Sequence, residues 1–85
     1  MINLKLGNPE KAARNLRRAI LLSPENVSYK YNLAITYDKL GKIEQALQLY
    51  HQIIEAVRGG AVIPGSTDKM MERITYLEGK IGEKR

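Results

Sequence analysis

The 85-residue sequence contains no cysteine, no tryptophan and no phenylalanine, and its single histidine is His51. Without cysteine there are no disulfide staples, thiolate nucleophiles or thiolate metal sites. A lone histidine excludes a two-histidine metal centre, so no metal and no cofactor is expected. The five aromatic residues are all tyrosines, each able to fill a core position while its hydroxyl stays at a wet edge. Long apolar runs are missing too, since no window approaches the ~20 residues of a membrane helix. The stretch from Met1 to Gly7 is too short in its apolar part for a secretory signal and has no cleavage pattern. These absences favour a cytoplasmic setting with no membrane partner. A chain of this length has room for one domain of limited stability.

What the sequence does have is an internal repeat. Lys5-Leu6-Gly7-Asn8-Pro9-Glu10-Lys11-Ala12 aligns with Lys39-Leu40-Gly41-Lys42-Ile43-Glu44-Gln45-Ala46 at an offset of 34, with five of eight positions identical. Lys80-Ile81-Gly82 echoes the marker again at an offset of 41, an interval that a longer loop through Gly59-Gly60 and Pro64-Gly65 would accommodate.

The segments between markers read as helices. Asn8 caps the first, with Pro9 in its first turn, where the missing N–H costs nothing. Ala12, Ala13, Leu16, Ala19 and Ile20 form its apolar face, and Ser23-Pro24 ends it. A second helix runs from about Val27 to Leu40, with Tyr29, Leu33, Ala34, Tyr37 and Leu40 inward and Gly41 free to form a left-handed C-terminal cap. The third carries Ile43, Ala46, Leu47, Tyr50, Ile53, Ile54 and Val57 on one stripe until Gly59-Gly60 stops it. Ser66 or Thr67 caps a last helix with Met70, Met71, Ile74, Leu77 and Ile81 on one side. Ala61-Val62-Ile63 is too short for a strand and runs into Pro64, so the fold class is all-α.

Leu33-Ala34, Tyr37, Gly41, Ala46 and Tyr50, between Val27 and Gly60, resemble a tetratricopeptide repeat. Gly7, Ala12, Leu16, Ala19 and Pro24 match the second half of a preceding copy. Lys30 stands where the family's leading aromatic would be, Ile53 replaces a small residue, and Arg58 replaces the closing proline. The resemblance implies antiparallel helix-turn-helix repeats stacked as a short right-handed α-solenoid. On this register residues 1–26 form a truncated first hairpin and residues 27–60 a complete one. Residues 61–66 then form a loop and residues 67–85 a capping helix. Ala12 and Ala46 are expected where two helices of a hairpin cross closely. The capping helix is expected to turn Lys69, Glu72, Arg73, Lys80, Glu83 and Lys84 outward, as a last repeat requires. Counting back from Val27 cuts the first helix to residues 1–6, fewer than two turns and too few to persist alone. The expectation is a piece of a longer array, or a chain that completes itself by self-association.

No catalytic constellation is present, and no enzymatic activity is expected. His51 lies off the apolar stripe of its helix and reads as an exposed bystander. Glu44 and Glu55 lack a partner that would perturb a carboxylate. Ser66 and Thr67 read as helix caps, and Gly59-Gly60 and Pro64-Gly65 match no phosphate-loop spacing.

The resemblance places the first helix of each hairpin on a concave face, which here assigns Ser28, Tyr31, Asn32, Ile35, Asp38 and Lys39 to a partner-binding surface. Tyr31 and Ile35 would form an apolar shelf and Asn32 could bond a peptide backbone. The residues equally allow a reading in which Tyr31 packs on the neighbouring helix and Asn32 is a common filler. The lysine and asparagine positions of the family's carboxylate clamp fall on Tyr31 and Ile35, so that clamp is not expected. Lys69 and Arg73 would add positive charge, or simply belong to a solvated cap.

Fourteen Lys and Arg against nine Asp and Glu give a net charge of +5. The densest basic cluster is Lys11, Arg14, Arg17 and Arg18, with the first, second and fourth on one helix face opposite the alanines. Such a stripe can meet phosphates, but no aromatics interleave with it for base stacking. The reading favoured by these residues is a non-catalytic module whose concave face binds a peptide or helix of another protein. A self-associating homo-oligomer is the alternative, and nucleic-acid binding through the basic stripe ranks below both.

Overall fold

The computed structural model of the chain describes residues 8–84. Four helices follow one another: α1 Pro9–Leu22, α2 Val27–Lys39, α3 Ile43–Arg58 and α4 Thr67–Lys84. Each packs on the next, α1 on α2, α2 on α3 and α3 on α4. Among the described residues there is no strand, and the segment around Ala61-Val62-Ile63 is a loop. The expected helix remnant at residues 1–6 and the marker glycine Gly7 lie outside the described residues.

Helix boundaries follow from local chemistry. The Asn8 side chain accepts from the Lys11 N–H at 3.1 Å, and Pro9 occupies the first turn. Asn26 caps α2 in the same way, accepting from the Tyr29 N–H at 3.2 Å. Ser66 does so for α4, its hydroxyl oxygen accepting from the Lys69 N–H at 3.3 Å.

The two glycine stops are built alike. Gly41 has a φ of 78°, and the N–H groups of Gly41 and Lys42 reach the carbonyls of Asp38 at 3.1 Å and Tyr37 at 2.9 Å. Gly60 has a φ of 108°, with Gly60 N–H bonded to Val57 at 2.9 Å and Ala61 N–H to Ala56 at 3.0 Å. Both pairs satisfy carbonyls of the last helical turn in the Schellman pattern, which requires a left-handed residue after the cap.

The core runs along α3. Ala34 from α2, Ala46, Leu47, Tyr50 and Ile53 from α3, Ile63 from the loop, and Met70, Ile74 and Leu77 from α4 form one buried cluster. Ile53 and Leu77 are its largest wholly buried side chains, each stabilising the fold by about 1.5–3 kcal/mol relative to exposure. Helix α2 shows little amphipathic bias, as expected for a helix covered by α1 on one side and α3 on the other.

In α1 the wholly buried residue is Ala13, and Ala12 is half-buried. One residue is a rotation of about 100° on a helix, so Ala13 shares a cleft with Tyr37 and Leu40 at the end of α2, whereas the hairpin partner expected for Ala12, residues 1–6, lies outside the described residues. One expectation needs correction: Met71, placed on the apolar side of α4, is half exposed, because the buried stripe is Met70, Ile74 and Leu77 and Met71 falls a third of a turn off it. Ile63, in the expected loop, joins the core.

Replacing Ala46, which has no exposed surface, with Leu should overpack the α2–α3 contact and cost roughly 1–3 kcal/mol. Thermal unfolding followed by circular dichroism should show the loss.

Candidate functional site

Packing α4 against α3 leaves a groove between α4 and α2. A cavity of about 340 Å³ is lined by Tyr31, Ile35, Asp38 and Lys39 from α2, Tyr50 from α3, and Lys69, Met70 and Arg73 from α4. Tyr31, Ile35 and Asp38 share this wall because steps of four and three return to one helix face. Tyr31 is half-buried and packs on the core as well as lining the groove. Its ring tip sits against Gly65, where an added Cβ would collide with the hydroxyl and approach the ring carbon Cζ at 3.0 Å. Both readings of Tyr31 therefore describe the same side chain, one by its ring body and one by its open face.

Four of the six concave-face residues, Tyr31, Ile35, Asp38 and Lys39, line this cavity, while Ser28 and Asn32 do not. Asn32 is exposed, and its backbone carbonyl accepts from the Thr36 hydroxyl at 2.8 Å.

Lys69 and Arg73, both exposed, border the groove. Arg73 donates from Nε to Asp38 Oδ2 and from Nη2 to Asp38 Oδ1, both at 2.6 Å. This is a two-point pairing of the guanidinium fork with a carboxylate. The Asp38 side chain is 12% exposed and that of Arg73 46%. The guanidinium also lies 4.8 Å from the centre of the Tyr76 ring, with Lys80 Nζ at 5.4 Å from the same ring. Hydrogen bonds to Asp38 raise the Arg73 pKa above its ordinary value, against a smaller opposing effect of burial. No local pattern reveals this pair, because its partners are 35 residues apart.

Tyr50 forms the floor. Burial pushes its phenol up to about 12, and the charge of Asp38 adds to the shift. On the other flank of α4, Glu78 Oε2 lies 3.3 Å from His51 Nε2, with both side chains more than half exposed. His51 is thus exposed as expected, but not without a neighbour.

The basic cluster on α1 is split. Arg14 and Arg17 turn toward α2, lining a polar cleft with Glu10, Ala13, Tyr37, Leu40 and Lys42. Arg17 donates to the Tyr37 hydroxyl at 3.1 Å. Arg14 therefore shares a cleft with Ala13 instead of lying opposite it, and Lys11 and Arg18 are exposed outside that cleft. A neighbouring apolar cleft, lined by Ile20, Leu21, Leu33 and Leu49 with Arg17, Lys30 and Gln52 at its edges, includes the lysine that stands in the aromatic position of the repeat.

A family model described as tetratricopeptide repeat matches residues 3–62. The chain belongs to the tetratricopeptide repeat family. A TPR repeat-containing protein of Methanocaldococcus jannaschii is 36% identical over 56 residues, covering 66% of this chain and 10% of that protein. The chain therefore spans about a tenth of the length of that relative. No solved structure matches. The repeat match includes α1, α2 and α3 and ends before α4. One wall of the groove, α2, is thus part of the recognised tetratricopeptide repeat, and the opposite wall lies beyond it. Members of this family are typically non-catalytic scaffolds for protein–protein interaction. Among the described residues, no helix is long and apolar enough to cross a membrane.

The raised Tyr50 pKa fixes the sign of a pH dependence. Its folded value of about 12 lies above the ordinary 10.0, so the neutral phenol is favoured by folding. This contribution to stability is fully present below pH 10 and is lost as pH rises through about 12. Ultraviolet titration should show a phenolate component appearing near pH 12, and Tyr50→Phe should remove it.

Proposed function

We propose that the chain is a non-catalytic interaction module whose groove between α2 and α4 receives a peptide or short helix from another protein. The observation that carries this reading is the pair Tyr31 and Ile35, one turn apart on α2, facing Met70 across an open cavity. An apolar shelf of this kind, edged by Asp38, Lys39, Lys69 and Arg73, suits a ligand that anchors apolar side chains and orients by polar ones. Family membership supports the same class of function.

Self-association is the second reading, and one observation favours it. Leu21 and Leu22 at the end of α1 are 82% and 85% exposed, beside the apolar cleft formed by Ile20, Leu33 and Leu49. A concentration-independent monomer mass would remove it. Nucleic-acid binding by Lys11, Arg14, Arg17 and Arg18 is the weakest reading, because Arg17 is engaged with Tyr37 and no exposed aromatic lies among the four.

Peptides selected on the chain from a displayed random library provide the test. Tyr31→Glu combined with Ile35→Glu should weaken their binding at least about tenfold, measured by fluorescence anisotropy, with helicity retained. Undiminished binding would mean that the ligand sits elsewhere.

A further inference from the structure

The groove carries a charge imbalance. Lys39, Lys69 and Arg73 border it together with the single anion Asp38. Among the described residues, neither Lys39 nor Lys69 has an acidic partner within ion-pair distance. Both lysines are exposed, so their ammonium groups are accessible to an incoming chain. Asp38 holds two donors of Arg73, Nε and Nη2. Lys69 and Arg73 sit on α4, outside the matched repeat, so this charge is a property of the chain and not of the repeat pattern.

We infer that the groove selects an acidic peptide, and that Asp38 competes with the ligand's carboxylates for the guanidinium fork of Arg73. This rests on the groove reading above and adds the chemical class of its ligand. Carboxylates of the peptide meet Lys39 and Lys69, while an apolar side chain rests on Tyr31 and Ile35. One carboxylate approaches Arg73, whose position over Tyr76 is kept while its partner changes. The Asp38 carboxylate thus lowers affinity for every acidic ligand by occupying the strongest donor pair in the groove.

Three fluorescein-labelled peptides test this on the full chain. Each has a leucine pair spaced one helical turn apart, set among glutamates, glutamines or lysines. The glutamate peptide should bind roughly tenfold tighter than the glutamine peptide at low salt, and the lysine peptide weakest. Lys39→Glu with Lys69→Glu should abolish that preference. Arg14→Glu with Arg18→Glu, an equal change of net charge on α1, should leave it intact. Asp38→Asn should tighten the glutamate peptide about threefold or more without changing the glutamine peptide.

Equal binding of the glutamate and glutamine peptides overturns the acidic selectivity, as does an equal loss in the α1 variant, which would show attraction by net charge alone. Should Asp38→Asn disturb the fold, nuclear magnetic resonance of the Arg73 Nε–H in the unaltered chain decides the competition. Its signal should shift at saturating glutamate peptide and not at saturating glutamine peptide; an unmoved signal overturns it. Failure of the underlying groove reading is distinguishable: glutamine-peptide binding would then survive Ile35→Glu, whereas loss there with no acidic preference keeps the groove and discards only its selectivity.

Discussion

The single buried core shared by α2, α3 and α4 is the constraint on which the other contacts depend. Ala34 and Ala46 have no exposed surface, and the distance between packed helices is set by the side chains at their contact. A methyl group on each side lets the two helices approach closely enough for Leu47, Tyr50 and Ile53 to join one continuous core. That core then offers α4 its seat, filled by Met70, Ile74 and Leu77. Ile53, larger than the residue usual at this position of the repeat, is wholly buried. Without that shared core, the groove between α2 and α4 would lose its floor and its second wall.

Features encoded within a few residues were legible in the sequence. Gly41 and Gly59-Gly60 mark helix ends because only a residue tolerant of positive φ completes the carbonyl pairing there. Asn8-Pro9 and Ser66 mark starts for equally local reasons, and the stripe of α3 follows from its three- and four-residue steps. The family resemblance placed Tyr31, Ile35, Asp38 and Lys39 on one wall. What it could not supply is the other wall, since α4 lies beyond the repeat and its rotation depends on which of Met70 and Met71 turns inward. Adjacent methionines are indistinguishable to a pattern of apolar residues. The choice is made by the complete stripe Met70, Ile74 and Leu77, whose spacing brings Arg73 onto the groove side and leaves Met71 half exposed.

The same limit explains the charged residues. Lys69 and Arg73 have the spacing of an ordinary solvated face, and nothing near them in sequence marks Asp38 as a partner. Arg14 and Arg17 pose the problem in reverse. They look like a basic stripe, yet a helix flank beside its buried residue Ala13 is within reach of the next helix, and Arg17 finds the Tyr37 hydroxyl there. Long side chains at the border of a contact are assigned by the neighbouring helix, not by their own.

Magnitudes separate what holds α4 in place from what gives the groove its chemistry. Ion pairs with substantial solvent exposure contribute roughly 0.2–1 kcal/mol, and Arg73 is nearly half exposed. Leu77 alone, wholly buried, contributes about 1.5–3 kcal/mol, and Met70 and Ile74 add to it. The seat of α4 is therefore an apolar matter. The Asp38–Arg73 pair, braced by Tyr76, chiefly determines where charge sits in a groove that packing has already shaped. Because the two tasks fall to different faces of one helix, residues at 69 and 73 can change groove selectivity with little cost to the fold, whereas changes at 70, 74 or 77 would move the wall itself.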